Sequence, residues 1–207
     1  MENTTAAPDA GQAGPGAERA PRRLRADAQR NMASLLEAAK AVFSKSGVDA
    51  PAKEIADLAG VGVGTLYRHF PQRSDLVVAV FQHEVDACTA AATALAAAYP
   101  PGEALEKWVQ RYREFLGTKQ GLGPALHSGD PAFEALPGYF AQQLGPALGA
   151  LLEAAAASGE IRPDVSATDL LYAVAALSLP PSDHGTGYSQ RMVALLTDGL
   201  RYGAARR

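Results

Sequence analysis

The segment at residues 60–70, GVGVGTLYRHF, constrains the fold more than any other, because its glycines end one helical pattern and open another. The residues before it have the apolar spacing of a short helix that begins near Pro51. The residues after it repeat apolar side chains at helical intervals. We therefore predict two short helices joined by a tight glycine turn, with inner faces formed by Ile55, Leu58, Ala59, Val63, Leu66 and Phe70.

A longer helix is predicted at residues 26–46, ahead of this pair. Its apolar residues have helical spacing, and Gly47 suits the left-handed end of such a helix. A long bracing helix followed by two short ones is the arrangement of a helix-turn-helix unit, whose last helix enters the major groove of DNA. The apolar stripe of the long helix consists of Leu35, Leu36, Ala39, Val42 and Phe43.

The polar residues of the third predicted helix collect on its outer face. Gly64, Thr65, Arg68 and His69 lie opposite the apolar edge, and Tyr67 lies at the border. The side chains of Thr65, Tyr67, Arg68 and His69 are hydrogen-bond donors rather than carboxylates, which suits phosphates and base edges. Gly64 has no side chain, so this face can approach another surface closely. The spacing also fits any three-helix bundle with a polar exterior, and this interpretation stays open.

The charge distribution is compatible with an N-terminal contact to nucleic acid. The whole chain has a formal net charge of −3. Residues 22–73 contain nine Lys/Arg and five Asp/Glu, whereas residues 74–207 contain nine and fourteen. A basic N-terminal third is expected if only this part meets phosphates, but ordinary surface variation explains so modest an imbalance equally well. Residues 1–21, rich in Ala, Gly and Pro, are predicted to be a disordered tail before a basic arm at residues 22–25.

Residues 54–81, EIADLAGVGVGTLYRHFPQRSDLVVAVF, resemble the DNA-binding signature of TetR-family transcriptional regulators. The matching features are an Ile-Ala pair, Ala-Gly-Val, Thr-Leu-Tyr, a His-Phe pair and a basic residue that opens the fourth helix. The resemblance implies an all-α protein. It implies a three-helix helix-turn-helix domain at residues 22–73 and a helical ligand-binding and dimerisation domain at residues 74–207.

The resemblance also implies contacts to the phosphate backbone. Thr65, Tyr67 and His69 match positions that touch phosphates or support such contacts, and Arg73 matches a basic residue that grips phosphate at the start of the fourth helix. His69 can alternatively be a solvated helix end. Lys53 on the second helix either adds a backbone contact or simply lies in solvent.

Base recognition is expected to depend on few side chains. Gly62 and Val63 stand where relatives often carry polar residues that reach bases, and they offer little hydrogen bonding. Arg68 can donate two hydrogen bonds to a guanine or clamp a phosphate, and the sequence does not separate these roles. Base reading therefore falls to Gly64, Thr65, Arg68 and the basic arm with Arg25.

The rest of the chain is predicted to be helical throughout. One helix covers residues 74–98, and the next includes residues 105–116 and ends at Gly117 and the GLGP segment of residues 121–124. A helix at residues 131–158 has Pro137 in its first turn and a kink at Pro146. Ser166 and Asp169 form a capping pair before another helix, and a last helix lies near the C-terminus.

A dimer and a ligand cavity follow from the resemblance. In relatives the last two helices pair with their counterparts, and apolar stripes here fit a self-matching interface, although burial within one chain explains them too. The expected interface residues are Leu170, Val174, Leu177, Met192, Leu196, Gly199 and Gly203. The candidates for lining a cavity for an unknown small-molecule effector, each of which can also be simple core, are Phe81, Cys88, Trp108, Tyr112, Phe115, His127, Tyr139 and Phe140.

Other classes of protein have weaker support. Cys88 is the single cysteine, so we expect no internal disulfide, and a reducing cytoplasm fits. No apolar run is long enough for a membrane span or a signal core. His83 lies about 140° from Cys88 around a helix, the Asp-His pair at residues 183–184 has no recognisable partner, and His127 with Asp130 makes a poor metal site. We expect no enzyme activity, cofactor or metal.

The expected function is that of a dimeric repressor of transcription. It would bind a palindromic double-stranded DNA operator and release it when an effector shifts the fourth helix and changes the spacing of the two reading helices. A second hypothesis is a DNA-binding regulator that responds to a protein partner or is constitutive. It predicts a C-terminal half without a substantial cavity.

Overall fold

In the computed structural model the described residues are 19–178 and 187–201, with side chains described from Arg30 onward. These residues form eight α-helices and one 3₁₀ turn, and none of them lies in a β-strand. The all-α prediction is therefore confirmed. The helices are α1 (Arg19–Ser46), α2 (Ala52–Ala59), α3 (Val63–His69), α4 (Arg73–Ala98), α5 (Pro101–Leu126), α6 (Leu136–Ala157), α7 (Ala167–Leu177) and α8 (Tyr188–Arg201), with the 3₁₀ turn at Pro131–Phe133.

The first helix begins earlier than predicted. α1 starts at Arg19, so residues 19–21, assigned to the tail, and the basic arm at residues 22–25 both belong to this helix. Alanine and arginine have high helix propensity, which favours the extension. The rest of the predicted tail, the Asp-His pair at residues 183–184 and Gly203 lie outside the described residues.

The turns of the N-terminal unit depend on two glycines. Gly47 after α1 and Gly60 after α2 have φ angles of 77° and 70°, a left-handed conformation that glycine adopts without strain. The backbone N–H of Val61 donates to the carbonyl of Ala56 at 3.0 Å and closes the end of α2. α3 begins three residues after Gly60, as the predicted helix-turn-helix requires.

The inner face of α2 differs from the prediction at one residue. Leu58 was expected to face inward but is 60% exposed, whereas Ala56 is fully buried. Ile55, Ala56 and Ala59 together span about 100° of the helix, and Leu58 lies about 60° beyond the edge of this face. A helix of eight residues buries only a narrow strip of its surface. Leu58 has the i, i+3 spacing from Ile55 that is typical of an apolar face, but it lies outside this strip and faces solvent.

The core of the larger domain lies between α4, α5 and α6. All residues predicted for the inner faces of α4 and α5 are buried, which confirms the helical interpretation of these stripes. They are Val77, Val80, Phe81, Val85 and Cys88 on α4, and Leu105, Trp108, Val109, Tyr112, Phe115 and Leu116 on α5.

The predicted end of α5 is wrong. The helix continues past Gly117 to Leu126, because burial of residues such as Leu122, which is 1% exposed, outweighs the low helix propensity of glycine. Gly121 also has a packing role. A Cβ atom on Gly121 would lie 2.8 Å from the carbonyl oxygen of Phe43, so only glycine lets α5 touch the end of α1.

The last helices are held by a cap and a loop contact. Ser166 caps α7 as predicted, since its Oγ accepts a hydrogen bond from the backbone N–H of Asp169 at 3.0 Å. The backbone N–H of Arg162 donates to the carbonyl of Leu200 at 2.9 Å and connects the segment before α7 to α8. α6 continues through Pro146, and the kink there stays a prediction. No helix in the described ranges is long and apolar enough to cross a membrane.

Candidate nucleic-acid interface and effector cavity

α3 is anchored by one apolar edge and exposes the opposite face. Leu66 is 2% exposed and Phe70 is 8% exposed, so both belong to the core shared with α1 and α2. A helix of seven residues is too short to be stable alone, and this anchoring keeps it in place. The exposed members of the predicted DNA-binding set on α3 are Gly64, Tyr67, Arg68 and His69, and Thr65 is half-buried.

The polar groups on this face are open to a ligand. Within residues 19–178 and 187–201, no hydrogen bond or ion pair engages the side chains of Tyr67, Arg68 or His69. A phenol, a guanidinium and an imidazole with open donors suit phosphates and base edges. A Cβ atom on Gly64 would meet nothing within 4 Å. The packing of the described residues therefore does not require glycine at this position.

The basic residues outside α3 have different surroundings. Lys53 on α2 has 76% of its side chain exposed and forms an ion pair with Asp57 one turn further along. An exposed pair of this kind contributes little to stability, so a phosphate can replace the carboxylate at low cost. The side chain of Arg25 lies outside the described part of the chain.

Arg73 is engaged within the protein. Its guanidinium donates a hydrogen bond to the carbonyl of Ala50, and its Cζ lies 5.6 Å from the centroid of the Phe43 ring. These contacts join the start of α4 to the turn between α1 and α2. They favour a positioning role for Arg73 over the direct grip on phosphate that the resemblance implies.

A cavity of about 310 Å³ lies among α4, α5, α6 and α7, within the size range of small-molecule sites. Four of the eight predicted lining residues contribute to it, namely Phe81, Tyr112, His127 and Phe140. The prediction missed other lining residues, including Leu116, Lys119, Phe133, Thr168, Leu171 and Tyr172. The sequence does contain a signal for Lys119, because it continues the stripe of Tyr112 and Leu116 at positions i, i+4 and i+7.

The other four predicted lining residues, Cys88, Trp108, Phe115 and Tyr139, do not line the cavity. The indole Nε1 of Trp108 donates to the carbonyl of Cys88 at 2.8 Å, which places both residues in the core between α4 and α5. The ring of Phe115 lies beside the lining aromatics, 6.1 Å from that of Phe140. The hydroxyl of Tyr139 donates to Asp86. Helical spacing identifies buried residues but not which edge of the stripe borders a cavity.

Burial also determines the protonation of two core groups. It raises the pKa of the Cys88 thiol to about 12, so this cysteine is a neutral core residue at physiological pH. Burial likewise raises the pKa of Tyr112, whose hydroxyl donates to the carbonyl of Leu171 at 3.3 Å. Neither group is prepared to act as a nucleophile.

Two sets of contacts join the helix-turn-helix unit to the cavity helices. Gly121 of α5 lies against the backbone of Phe43 in α1. Glu84 of α4, only 1% exposed, accepts hydrogen bonds from Lys40 of α1 at 2.7 Å and from Arg111 of α5 at 3.4 Å. A buried carboxylate shared by two cations ties the three helices together, because losing either partner leaves an uncompensated charge.

The same region contains a group of possible metal ligands. Donor atoms of Glu37, His83 and Glu84 lie within 4.8 Å of one another, and His83 Nε2 is 3.2 Å from a carboxylate oxygen of Glu37. However, the ammonium of Lys40 and the guanidinium of Arg111 already bind Glu84. Two resident cations oppose the entry of a metal ion, so we assign this group to an ion-pair network.

The expected dimer residues have mixed exposure. Leu170 and Val174 are 2% and 1% exposed, because α7 packs this edge against the rest of the chain. They leave no surface for a partner, which corrects the expectation for these two positions. Tyr172 and Leu195 instead expose 73% and 63% of their surface. Of the other expected residues, Leu177, Met192 and Leu196 are half-buried and Gly199 is exposed.

A braced short helix with an open polar face, joined to a helical domain with a cavity, defines a helix-turn-helix regulator of transcription. The family model for bacterial regulatory proteins of the tetR family matches residues 35–80. The model for the C-terminal domain of SbtR-like transcriptional regulators matches residues 100–202.

Solved structures resemble the whole fold. A TetR transcriptional regulator from Streptomyces coelicolor is 37% identical at a TM-score of 0.70, and the match covers 81% of this chain and 97% of that one. A TetR regulatory protein from Mycobacterium vanbaalenii is 37% identical at a TM-score of 0.67, with coverage of 86% and 99%. The chain therefore belongs to the TetR family of DNA-binding transcriptional regulators, which are not enzymes.

Curated relatives resemble a shorter stretch of the chain. An HTH-type transcriptional regulator of Staphylococcus aureus is 41% identical over 64 residues, which are 30% of this chain and 35% of that protein. The chain thus matches about a third of the length of this relative.

Proposed function

We propose that the protein is a dimeric repressor in the cytoplasm that binds a palindromic double-stranded DNA operator and releases it when a small-molecule effector enters the cavity. DNA binding is assigned to residues 22–73, and effector binding and dimerisation to residues 74–207. Membership of the TetR family supports the DNA-binding half of this proposal. The cavity of about 310 Å³ supports the effector half.

One observation carries the link between the two halves. Lys119 lines the cavity, and Gly121, two residues later on the same helix, lies against the backbone of Phe43 in α1. Because there is no free space at this contact, a ligand that displaces α5 at Lys119 also displaces the end of α1. α1 braces the reading helix, so its movement changes the orientation of α3.

The proposed DNA contact uses the exposed face of α3. Arg68 and the backbone at Gly64 would meet base edges, and Tyr67, His69 and Lys53 would contact or support phosphates. Thr65, although half-buried, borders the same face. Arg73 would act by fixing the start of α4 through its bond to the Ala50 carbonyl.

The proposed dimer uses exposed apolar residues of α7 and α8. Tyr172, Leu195 and Gly199 are exposed, and Leu196 and Met192 are half-buried beside them. Apolar surface on two adjacent helices suits a twofold interface. A dimer would also supply specificity, because one short reading helix contacts few bases and two half-sites a helical turn apart double the contacts.

A regulator controlled by a protein partner, or a constitutive one, is the alternative. It predicts a C-terminal domain without a substantial cavity, and the cavity between α4 and α7 favours the effector. Under the effector mechanism, effector and operator must weaken each other's binding by the same factor. An effector that binds tightly and leaves operator affinity unchanged would support the alternative.

Selection of bound sequences from random duplex DNA tests the proposal directly. We expect an enriched palindrome whose two halves lie about one helical turn apart, bound by a dimer in sedimentation experiments. Affinity for the selected site should fall steeply as salt increases, because phosphate contacts release counterions. Enrichment of a non-palindromic site, or binding by a monomer, would contradict the dimeric arrangement.

A further inference from the structure

The described lining of the cavity combines an apolar wall with a few polar groups, none of which is a carboxylate. Carbon-rich side chains such as Phe81, Leu116, Phe133 and Phe140 form most of the lining. The titratable and polar groups among the lining residues are Lys119 and His127 from α5 and its C-terminal cap, the hydroxyl of Tyr112 from α5, and the hydroxyls of Thr168 and Tyr172 from α7. No carboxylate belongs to the lining among the described residues.

Lys119 lacks the partner that a buried cation normally has. Its side chain is half-buried, and no described residue forms an ion pair with it; its Nζ lies 5.8 Å from the centroid of the Phe140 ring. By contrast Lys40, whose side chain is 26% exposed, is 2.7 Å from Glu84. Burial lowers the pKa of Lys119 from its ordinary 10.5. The ammonium group of Lys119 is therefore partly desolvated beside an apolar wall, and the described part of the chain offers it no anion.

His127 adds a second polar group near the same wall. Its Nδ1 lies 2.8 Å from the carbonyl oxygen of Gly123, and a carbonyl only accepts, so Nδ1 carries the hydrogen. This bond orients the ring and leaves Nε2 for a ligand. The hydroxyl of Tyr112 already donates to the Leu171 carbonyl, so it contributes less to recognition.

We propose that the cavity binds a small carboxylate with an apolar body, and that Lys119 pairs with the carboxylate. The apolar body lies against Phe81, Leu116, Phe133 and Phe140, and the carboxylate supplies an anion that none of the described residues provides. This inference depends on the proposed function, because it specifies the chemical class of the effector. An alcohol of equal length would bury the same apolar area without pairing with the ammonium, and an amine would oppose it.

Matched probes separate the charge from the apolar body. We would measure binding of decanoate, decan-1-ol and decylamine to the full chain by calorimetry, at pH 7.5 and fixed salt. Decanoate is expected to bind at least about tenfold more tightly than decan-1-ol, as a charge-assisted hydrogen bond in a partly buried site allows. Decylamine should bind most weakly. Equal binding of decanoate and decan-1-ol, or no binding of decanoate, would overturn the proposal.

Variants assign the preference to one residue. Lys119→Met keeps the apolar stem and removes the charge, and it should reduce the preference for decanoate over decan-1-ol by about tenfold. Its melting temperature should stay the same or rise, because a half-buried charge is removed. Lys107→Met is the matched control on the same helix, since Lys107 is 42% exposed and pairs with Glu103; it should bind all probes like the wild type. An unchanged preference in Lys119→Met would refute the assignment.

The same preparations distinguish this proposal from the proposed function. Operator affinity is measured with and without each probe. If decan-1-ol and decanoate release the operator equally, the effector mechanism is supported and the carboxylate class is refuted. If decanoate binds through Lys119 but leaves operator affinity unchanged, the carboxylate site is supported and the release mechanism is refuted.

Discussion

Gly64→Ala is expected to stabilise the protein while weakening its binding to DNA. Gly64 is the second residue of α3, it is exposed, and a Cβ atom there meets nothing within 4 Å. Replacing such a glycine stabilises a fold by about 0.4–1 kcal/mol, chiefly by reducing the conformational entropy of the unfolded chain. For a chain of this size, the corresponding rise in melting temperature is about 1–4 °C.

The expected loss of DNA binding follows from the position of the added methyl group. Gly64 lies one helical turn before Arg68 on the exposed face of α3. A methyl group at the point of closest approach would hold the helix away from the base edges and lengthen the hydrogen bonds of Arg68. Loss of one good base contact costs about 1–3 kcal/mol, so operator affinity should fall by about 5- to 150-fold.

Gly117→Ala provides the matched control. Gly117 is exposed in the middle of α5, and a Cβ atom added there would also meet nothing within 4 Å. This variant should be stabilised similarly and should bind the operator like the wild type. Thermal melts and fluorescence anisotropy at one salt concentration measure both quantities. Wild-type operator affinity of Gly64→Ala would show that the backbone at Gly64 does not approach DNA closely. A loss of stability would contradict the open space around Gly64 in α3.

Five other substitutions test separate parts of the structure. Arg68→Ala should weaken the free energy of operator binding by about 1–3 kcal/mol at an unchanged melting temperature. Arg73→Met should lower the free energy of unfolding by about 1–3 kcal/mol in urea titrations. A destabilised Arg68→Ala with normal operator binding, together with an Arg73→Met of unchanged stability, would refute the roles assigned to them. Glu84→Ala leaves two half-buried cations without their carboxylate and should destabilise the fold by about 3 kcal/mol, so a neutral result in urea would contradict the network. Gly121→Ala should lower the melting temperature, since its Cβ meets backbone at 2.8 Å, and an unchanged value would show that α1 and α5 separate easily. Burial raises the pKa of Cys88 from 9.0 to about 12, so above about pH 9 the unfolded chain loses a proton that the folded chain keeps. The free energy of unfolding should therefore fall as the pH rises. Cys88→Ala should reduce this fall between about pH 8 and pH 10, as measured by urea titrations.

Local patterns in the sequence identify most of the helices correctly because the helices satisfy simple rules. The apolar stripe of α5 from Leu105 to Leu116 has one period throughout, and every predicted member is buried. Gly60 marks the end of α2 because few other residues tolerate its φ angle of 70°. The cap at Ser166 is equally local. Each of these features depends on residues within a few positions of one another.

Several of the errors involve interactions between distant segments. Gly117 and Gly121 suggest a helix end by their propensity, but packing of α5 against α1 keeps the helix intact. Arg73 also donates a hydrogen bond to the carbonyl of Ala50, 23 positions away, which the sequence does not reveal; its contact with phosphate stays a prediction. Leu170 suggests an outer apolar face, but that face is buried within the chain. No periodicity encodes such contacts, since they depend on how complete helices pack.

The candidate DNA-binding face illustrates the same distinction at the level of function. The composition of that face can be read from seven consecutive residues of α3, but its orientation cannot, because so short a helix takes its position from its neighbours. Arg73 fixes α4 to the turn before α2, and Glu84 fixes α1 to α4 and α5. In the proposed dimer, substitutions at these contacts should therefore change the geometry between the two reading helices rather than the bases that each one prefers. A regulator built in this way can respond to a ligand in the cavity without any change in the residues that meet DNA.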